Sequence, residues 1–304
     1  MRNEIRDRER SHGGRKETIM SPRLGRIGIW RPAPFLTGAV GAETAAELEE
    51  LGYGTLWVGG SPSADLDVVE HLLAATTRLV VATGIVNIWD SPADTVAESF
   101  HRIEARYPNR FLLGIGAGHR EAVGAGYVRP YTRLVEYLDE LDSAARPVPL
   151  DRRVLAALGP RALRLAGERT AGAHPYLTTP EHTRRAREVL GAGVLLAPEH
   201  KVVLESDPAT ARAVGRPPVA NPYLRLVNYT NNLLRLGYTE QDIADDGSDA
   251  LIDDLVAWGT DESVAAKVTA HLDAGADHVS VQVLTADGAD PRPAYRRLAT
   301  VLPL

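Results

Sequence analysis

The sequence predicts a single α/β domain, a (β/α)8 barrel of the TIM type with a helical insertion between its seventh and eighth strands. Three observations predict it: eight short β-branched runs, amphipathic stretches between most of them, and one gap of about eighty residues between the last two runs. Taken in order, strands are expected at residues 26–30, 55–59, 79–86, 110–116, 153–158, 172–176, 193–196 and 278–284. Helices are expected between them at 41–51, 66–76, 93–107, 131–145, 161–168 and 181–190, where apolar residues recur at helical spacing. A doubly wound open sheet is the alternative. Against it, the first βα turn has no G-x-G-x-x-G; Gly114, Gly116 and Gly118 follow the fourth strand, and the sixth position of that pattern is His119.

In the long gap, helices are expected at 222–236, 239–244, 249–258 and 262–274, with cap-like Thr239-x-x-Asp242 and Thr260-Asp261. This insertion, about 205–260, is expected over one mouth of the barrel, either as a packing or dimer element or as a lid that shapes a substrate pocket. Residues 1–22 are charged, lack apolar periodicity and are expected to form a mobile extension ahead of the domain at 23–304.

Composition excludes several classes of function. The 304 residues carry 34 basic and 40 acidic side chains, a net charge of -6, so the chain offers no cationic field for nucleic acid. Lysine is rare: only Lys16, Lys201 and Lys267 occur. With no cysteine there is no disulfide framework, thiolate metal centre or cysteine nucleophile. No apolar run reaches the roughly 18 residues that span a bilayer, and the first residues lack the apolar core of a signal peptide, so a cytoplasmic location is expected. H-E-x-x-H, P-loop and G-x-S-x-G motifs are absent, and no metal site is expected. The expected partners are a small-molecule substrate and a second copy of the chain in a homodimer, not nucleic acid or a membrane.

In a barrel, ligands sit at the C-terminal ends of the strands. Those ends hold Ala82, Thr83 and Gly84 after the third strand, Gly116, Gly118 and His119 after the fourth, and Gly172-Ala173-His174-Pro175-Tyr176 at the sixth. At Leu158-Gly159-Pro160-Arg161-Ala162, glycine ends a strand and proline opens a helix whose free N–H groups form an anion site, with Arg161 adding charge. His119 and His174 fall on the ligand face, and imidazole titrates near neutrality, so either could move a proton.

Gly-Arg-Ile-Gly-Ile-Trp at 25–30, Tyr-Pro-Asn-Arg-Phe-Leu-Leu-Gly-Ile-Gly-Ala-Gly-His at 107–119 and the run at 158–174 resemble, in that order, the bacterial luciferase-like superfamily. The closest resemblance is to its actinobacterial coenzyme F420-dependent oxidoreductases, and it extends from about residue 24 to the C-terminus. It implies a deazaflavin, coenzyme F420 (FMN being the alternative), across the barrel mouth, with its phosphate at Leu158, Gly159, Pro160, Arg161 and Ala162. It also implies a cis non-proline peptide at Ala82, Thr83 and Gly84, and contact from the end of the sixth strand, at His174 and Pro175. Relatives often carry an acidic residue followed by His where this chain has Gly60 and Ser61, which argues against an FMN monooxygenase. A glutamate acid of the family's sugar-phosphate dehydrogenase is replaced here by His119, the expected catalytic residue. The expected activity is hydride transfer between F420 and an unidentified small organic substrate; an FMN-dependent monooxygenase and a non-catalytic F420- or flavin-binding protein are the alternatives.

Overall fold

The computed structural model describes residues 22–119 and 124–304, so the extension expected over 1–22 lies outside the described residues apart from Pro22. The first half runs β1 (Ile27–Pro32), α1 (Gly38–Leu51), β2 (Thr55–Gly59), α2 (Asp67–Ala74), β3 (Val80–Gly84), β4 (Val86–Asn87), α3 (Ala93–Arg106), β5 (Phe111–Gly116) and α4 (Pro130–Ser143). The second continues β6 (Arg153–Leu155), α5 (Pro160–Arg169), β7 (Gly172–Ala173), α6 (Pro180–Leu190), β8 (Leu195–Leu196) and β9 (Glu199–Val203). After the insertion come α11 (Asp261–Asp273), β11 (Val279–Val283) and α12 (Arg292–Ala299).

Every described strand pairing is parallel. The path runs from β1 through β2, β3, β5, β6 and β7 to β8, while β9 pairs β11, which returns to β1. Pro198 separates β8 from β9. The N–H groups of Ala197 and Glu199 donate to the carbonyls of Ala173 and Pro175 at 2.9 and 2.8 Å. These bonds carry the pairing with β7 across the break, so β8 and β9 form one interrupted seventh strand and the sheet closes on itself as an α/β barrel.

The seventh strand departs most from expectation. Residues 193–196 were expected to complete it, yet β9 extends it to Val203, because the buried Glu199 and Lys201 break the apolar pattern that marks a parallel strand. The third strand, expected unbroken over 79–86, divides into β3 and β4 around a cis Gly84–Ile85 peptide.

The insertion holds α7 (Pro208–Ala220), α8 (Val227–Leu236), α9 (Glu240–Ile243), α10 (Asp249–Leu255) and β10 (Val256–Trp258). Helix α7, not expected from the sequence, is capped by the Asp207 carboxylate and opened by Pro208; its Pro217 and Pro218, which hid the helical pattern, fall in the last two turns. Thr239 and Asp242 form the expected capping box. The helix expected over 249–258 ends at Leu255, since Val256–Trp258 pairs with Lys201–Val203 as a further parallel strand. The insertion has its own core, with Leu177, Val203, Tyr229, Leu233, Ile252 and Val256 packed together, and this anchors it on the barrel mouth.

The barrel interior is filled partly by rings. Trp57 is fully buried, stacks on His174 at 4.0 Å and donates from Nε1 to His278 Nε2 at 2.9 Å. Outside the sheet, His271 Nε2 meets His200 Nδ1 at 3.1 Å beneath α6. Burial pushes His174, His200 and His278 from 6.5 down to about 4, and His182 and His271 are lowered as well.

The unfolded chain protonates these five imidazoles near 6.5 and the fold does so only at lower pH, so unfolding takes up protons in between. Stability is therefore expected to fall as pH drops from about 6.5 to about 4. Glu49, held at about 2 against its usual 4.5, loses its contribution only below the histidine range. Melting temperatures at pH 7, 6 and 5 check this; a constant value would mean that the histidines are not buried neutral.

Candidate active site

A cavity of about 760 Å³ opens at the C-terminal ends of the strands, between the barrel and the insertion. Trp30, Gly84 and His174 form one wall. A methyl group on Gly84 would stand 2.7 Å from Trp30 Nε1 and 3.2 Å from His174 Nε2. Both nitrogens are buried and have no hydrogen-bond partner among the described residues. His174 Nδ1 lies 2.7 Å from the Ala197 carbonyl, which can only accept, so the ring proton sits on Nδ1 and Nε2 presents a lone pair. The wall thus carries an indole N–H donor beside an imidazole acceptor, and a ligand group that both accepts and donates would satisfy the two.

The sequence-expected residues divide between the cavity and its supports. Gly84 lines the cavity. Ala82 points into the barrel core, and Thr83 Oγ1 is spent on β5, donating to the Gly114 carbonyl at 2.9 Å and accepting from its N–H at 2.8 Å. Gly118 and His119 reach the cavity, whereas Gly116 is a close-packing site where a methyl would meet Ile85 at 2.8 Å. His174 lines the wall; Pro175 instead gives its carbonyl to Glu199.

Leu158, Gly159 and Ala162 line the cavity at the start of α5, with Gly159 as cap and Pro160 as first helical residue. Pro160 and Arg161 are not on its wall. Arg161 is exposed and stacks 3.6 Å from the Tyr131 ring centre. The cation that does line the cavity here is Arg235 of α8, whose Nη2 comes within 3.7 Å of the place a Gly159 methyl would take. Charge at this helix start therefore comes from the insertion, about 75 residues away in sequence, and no local motif could indicate it.

Sequence reasoning reached His119 and Tyr176 but missed what surrounds them. Tyr176 packs between Trp30 at 5.1 Å and Tyr223 at 5.2 Å, and His119 sits 5.6 and 6.0 Å from Tyr229 and Tyr223. Behind Tyr176 lies the Glu199–Lys201 ion pair at 3.0 Å. Burial raises the Glu199 carboxyl and lowers the Lys201 amine, each opposed by the other's charge. The available signal was compositional: Lys201 is one of three lysines in the chain, two residues from a glutamate, the spacing of one strand face.

An α/β barrel with a ring-walled cavity at its C-terminal mouth and a cationic helix start on the rim has the form of a ligand-binding barrel. Residues 37–278 match the model of the luciferase-like monooxygenase family, and the chain belongs to that family. It is 32% identical over 126 residues to the N-acetyl-S-alkylcysteine monooxygenase of Bacillus subtilis (strain 168), a stretch spanning 37% of this chain and 38% of that protein. The fold is similar to that of an F420-dependent secondary alcohol dehydrogenase in complex with an F420-acetone adduct, with a TM-score of 0.70, 14% identity, and 92% of this chain and 99% of that one covered. It is also similar to the oxygenating constituent of 3,6-diketocamphane monooxygenase from Pseudomonas putida in complex with FMN, at a TM-score of 0.65, 16% identity, and coverage of 90% and 96%.

The support beneath the cavity is sensitive to single atoms. A methyl on Gly114 would stand 1.8 Å from the Thr83 carbonyl oxygen. Gly114→Ala is therefore expected to cost roughly 3 kcal/mol or more, the upper range of overpacking. Denaturant titration measures it, and a loss under 1 kcal/mol would show that β3 and β5 can part.

Proposed function

We propose that the protein is a coenzyme F420-dependent oxidoreductase, exchanging a hydride between a deazaflavin seated in this cavity and a small organic substrate. The observation that carries the reading is the unpaired donor and acceptor of Trp30 Nε1 and His174 Nε2, buried side by side where Gly84 offers no side chain. A flat heteroaromatic edge bearing both a carbonyl and an N–H fits that pair. When bound, the deazaflavin supplies a ring carbon that gives or takes a hydride. The protein's own residues do the rest: Gly84 and Ile85 present backbone to the ring, the α5 start with Arg235 meets a phosphate, and the tyrosines of the insertion keep water out. Gly60 and Ser61, which stand where relatives often carry an acidic residue and a histidine, line the cavity and favour a deazaflavin.

The match to a monooxygenase favours a second reading, an FMN-dependent monooxygenase in the same cavity. Competitive fluorescence titration decides between them. F420 is expected to bind more tightly; tighter FMN binding, together with oxygen consumption on reduction, selects the monooxygenase.

The rim makes a separate prediction. Arg235→Ala should weaken F420 binding by about tenfold, the scale of a hydrogen bond to a charged group, and Arg161→Ala by less than about twofold. The reverse order would place the phosphate beside Arg161.

A further inference from the structure

Resting on the F420 reading, we propose that Tyr176, oriented by Lys201, is the proton donor to a carbonyl oxygen, and that the substrates are aldehydes or ketones reduced to alcohols. Lys201 spends its three donors on the protein: Glu199 Oε1 at 3.0 Å, the Tyr176 hydroxyl at 2.7 Å and Gln282 Oε1 at 2.9 Å. With its donors engaged in this way it is a positioning residue. The Tyr176 hydroxyl donates in turn to Gln282 Oε1 at 2.8 Å. With its oxygen accepting from both, Gln282 has its amide N–H groups directed away from them, and Tyr176, Gln282 and Lys201 all line the cavity. Turned from Gln282 Oε1 toward a bound carbonyl, the phenol O–H backed by an ammonium would meet an oxygen that gains negative charge.

His119 is the other proton carrier on the cavity wall, and its place favours Tyr176. His119 packs against Tyr223 and Tyr229 of the insertion side. Tyr176 shares Tyr223 as a neighbour at 5.2 Å but also packs on Trp30, the residue whose indole nitrogen stands at Gly84. Burial, with Tyr223, Glu199 and Tyr229 around it, holds the Tyr176 phenol well above its ordinary pKa, so it keeps its proton at neutral pH.

The chemistry balances. A hydride from a donor of the reduced deazaflavin class forms the new C–H bond at the carbonyl carbon, the π pair moves to oxygen, and the Tyr176 O–H bond breaks to protonate it. The carbonyl is reduced and the donor oxidised. The phenolate left behind is stabilised by Lys201 and regains a proton from solvent.

Two measurements test this on the full chain. The first needs no cofactor: difluorotyrosine, whose phenol ionises at accessible pH, is placed at position 176 and titrated by ultraviolet absorption. Lys201→Met should raise its ionisation by about one unit or more, Lys201→Arg should restore it, and Glu199→Gln should lower it. No shift in either Lys201→Met or Glu199→Gln would overturn the dyad.

The second uses F420-loaded protein with a panel of aliphatic aldehydes and ketones. Tyr176→Phe should lower kcat by roughly 100-fold or more while KM and F420 affinity stay within a few fold, and His119→Asn should cost far less. Full activity in Tyr176→Phe, or the larger loss in His119→Asn, overturns the assignment, and failure of the wild type to reduce any panel member overturns the carbonyl class. Failure to bind F420 at all would instead sink the cofactor reading, while the titration still decides the dyad.

Discussion

The structure depends on one costly interaction, the burial of Glu199 and Lys201 on the strand that closes the barrel. Each ion loses several kcal/mol of hydration on leaving water, and their contact at 3.0 Å repays this only if the remaining polar atoms are also satisfied. They are. Glu199 Oε2 takes the Leu177 N–H at 2.9 Å, and Lys201 reaches Tyr176 and Gln282. Residues that follow β7, lie on β9 and lie on β11 are thereby held in one network, so closing the ring and building the cavity wall are the same event. Apolar side chains of like volume often serve stability as well as a buried ion pair does.

The same strand faces both ways. Glu199 and Lys201 look into the barrel, while His200 between them looks out, to His271 at 3.1 Å, and His271 in turn to Thr183 at 2.8 Å. Because strand side chains alternate, a one-residue slip in β9 would exchange the ion pair for an imidazole and expose two charges to the apolar layer under α6 and α11. Register is consequently specified on both faces, which suits a strand that Pro198 has already interrupted.

The sequence made the barrel, its strand order and the cap-marked helices of the insertion legible, because those follow from local periodicity and from turn and cap chemistry. Gly84, Gly118, Gly159 and His174 were placed at the mouth and do line the cavity, since strand ends in a barrel point to one mouth. What failed has physical causes. Arg161 was chosen for its adjacency to Gly159, yet a side chain at the second position of α5 stacks outward on Tyr131, and the cation near Gly159 arrives from α8. Thr83 sits at the right strand end, but its hydroxyl is satisfied by Gly114 across the sheet. Lys201 lay in a strand that its own charge and Pro198 disguised. The misses at Arg161 and Thr83 turn on partners far away in sequence, which periodicity does not encode.

These distant partners also explain why the insertion is more than a cover. It contributes Arg235, Tyr223 and Tyr229 to the cavity, while its β10 pairs with the segment of β9 that carries Lys201. β11 takes the backbone groups of His200 and Val202 on one edge of β9, and β10 takes those of Lys201 and Val203 on the other. The lysine's backbone is therefore fixed by the insertion and its side chain by the barrel. A change in the insertion that shifted β10 would move Lys201 and Tyr176 without altering any residue of the barrel itself. Variation in this segment can thus change both the rim at the start of α5 and the wall built on Tyr176, on a barrel that stays the same.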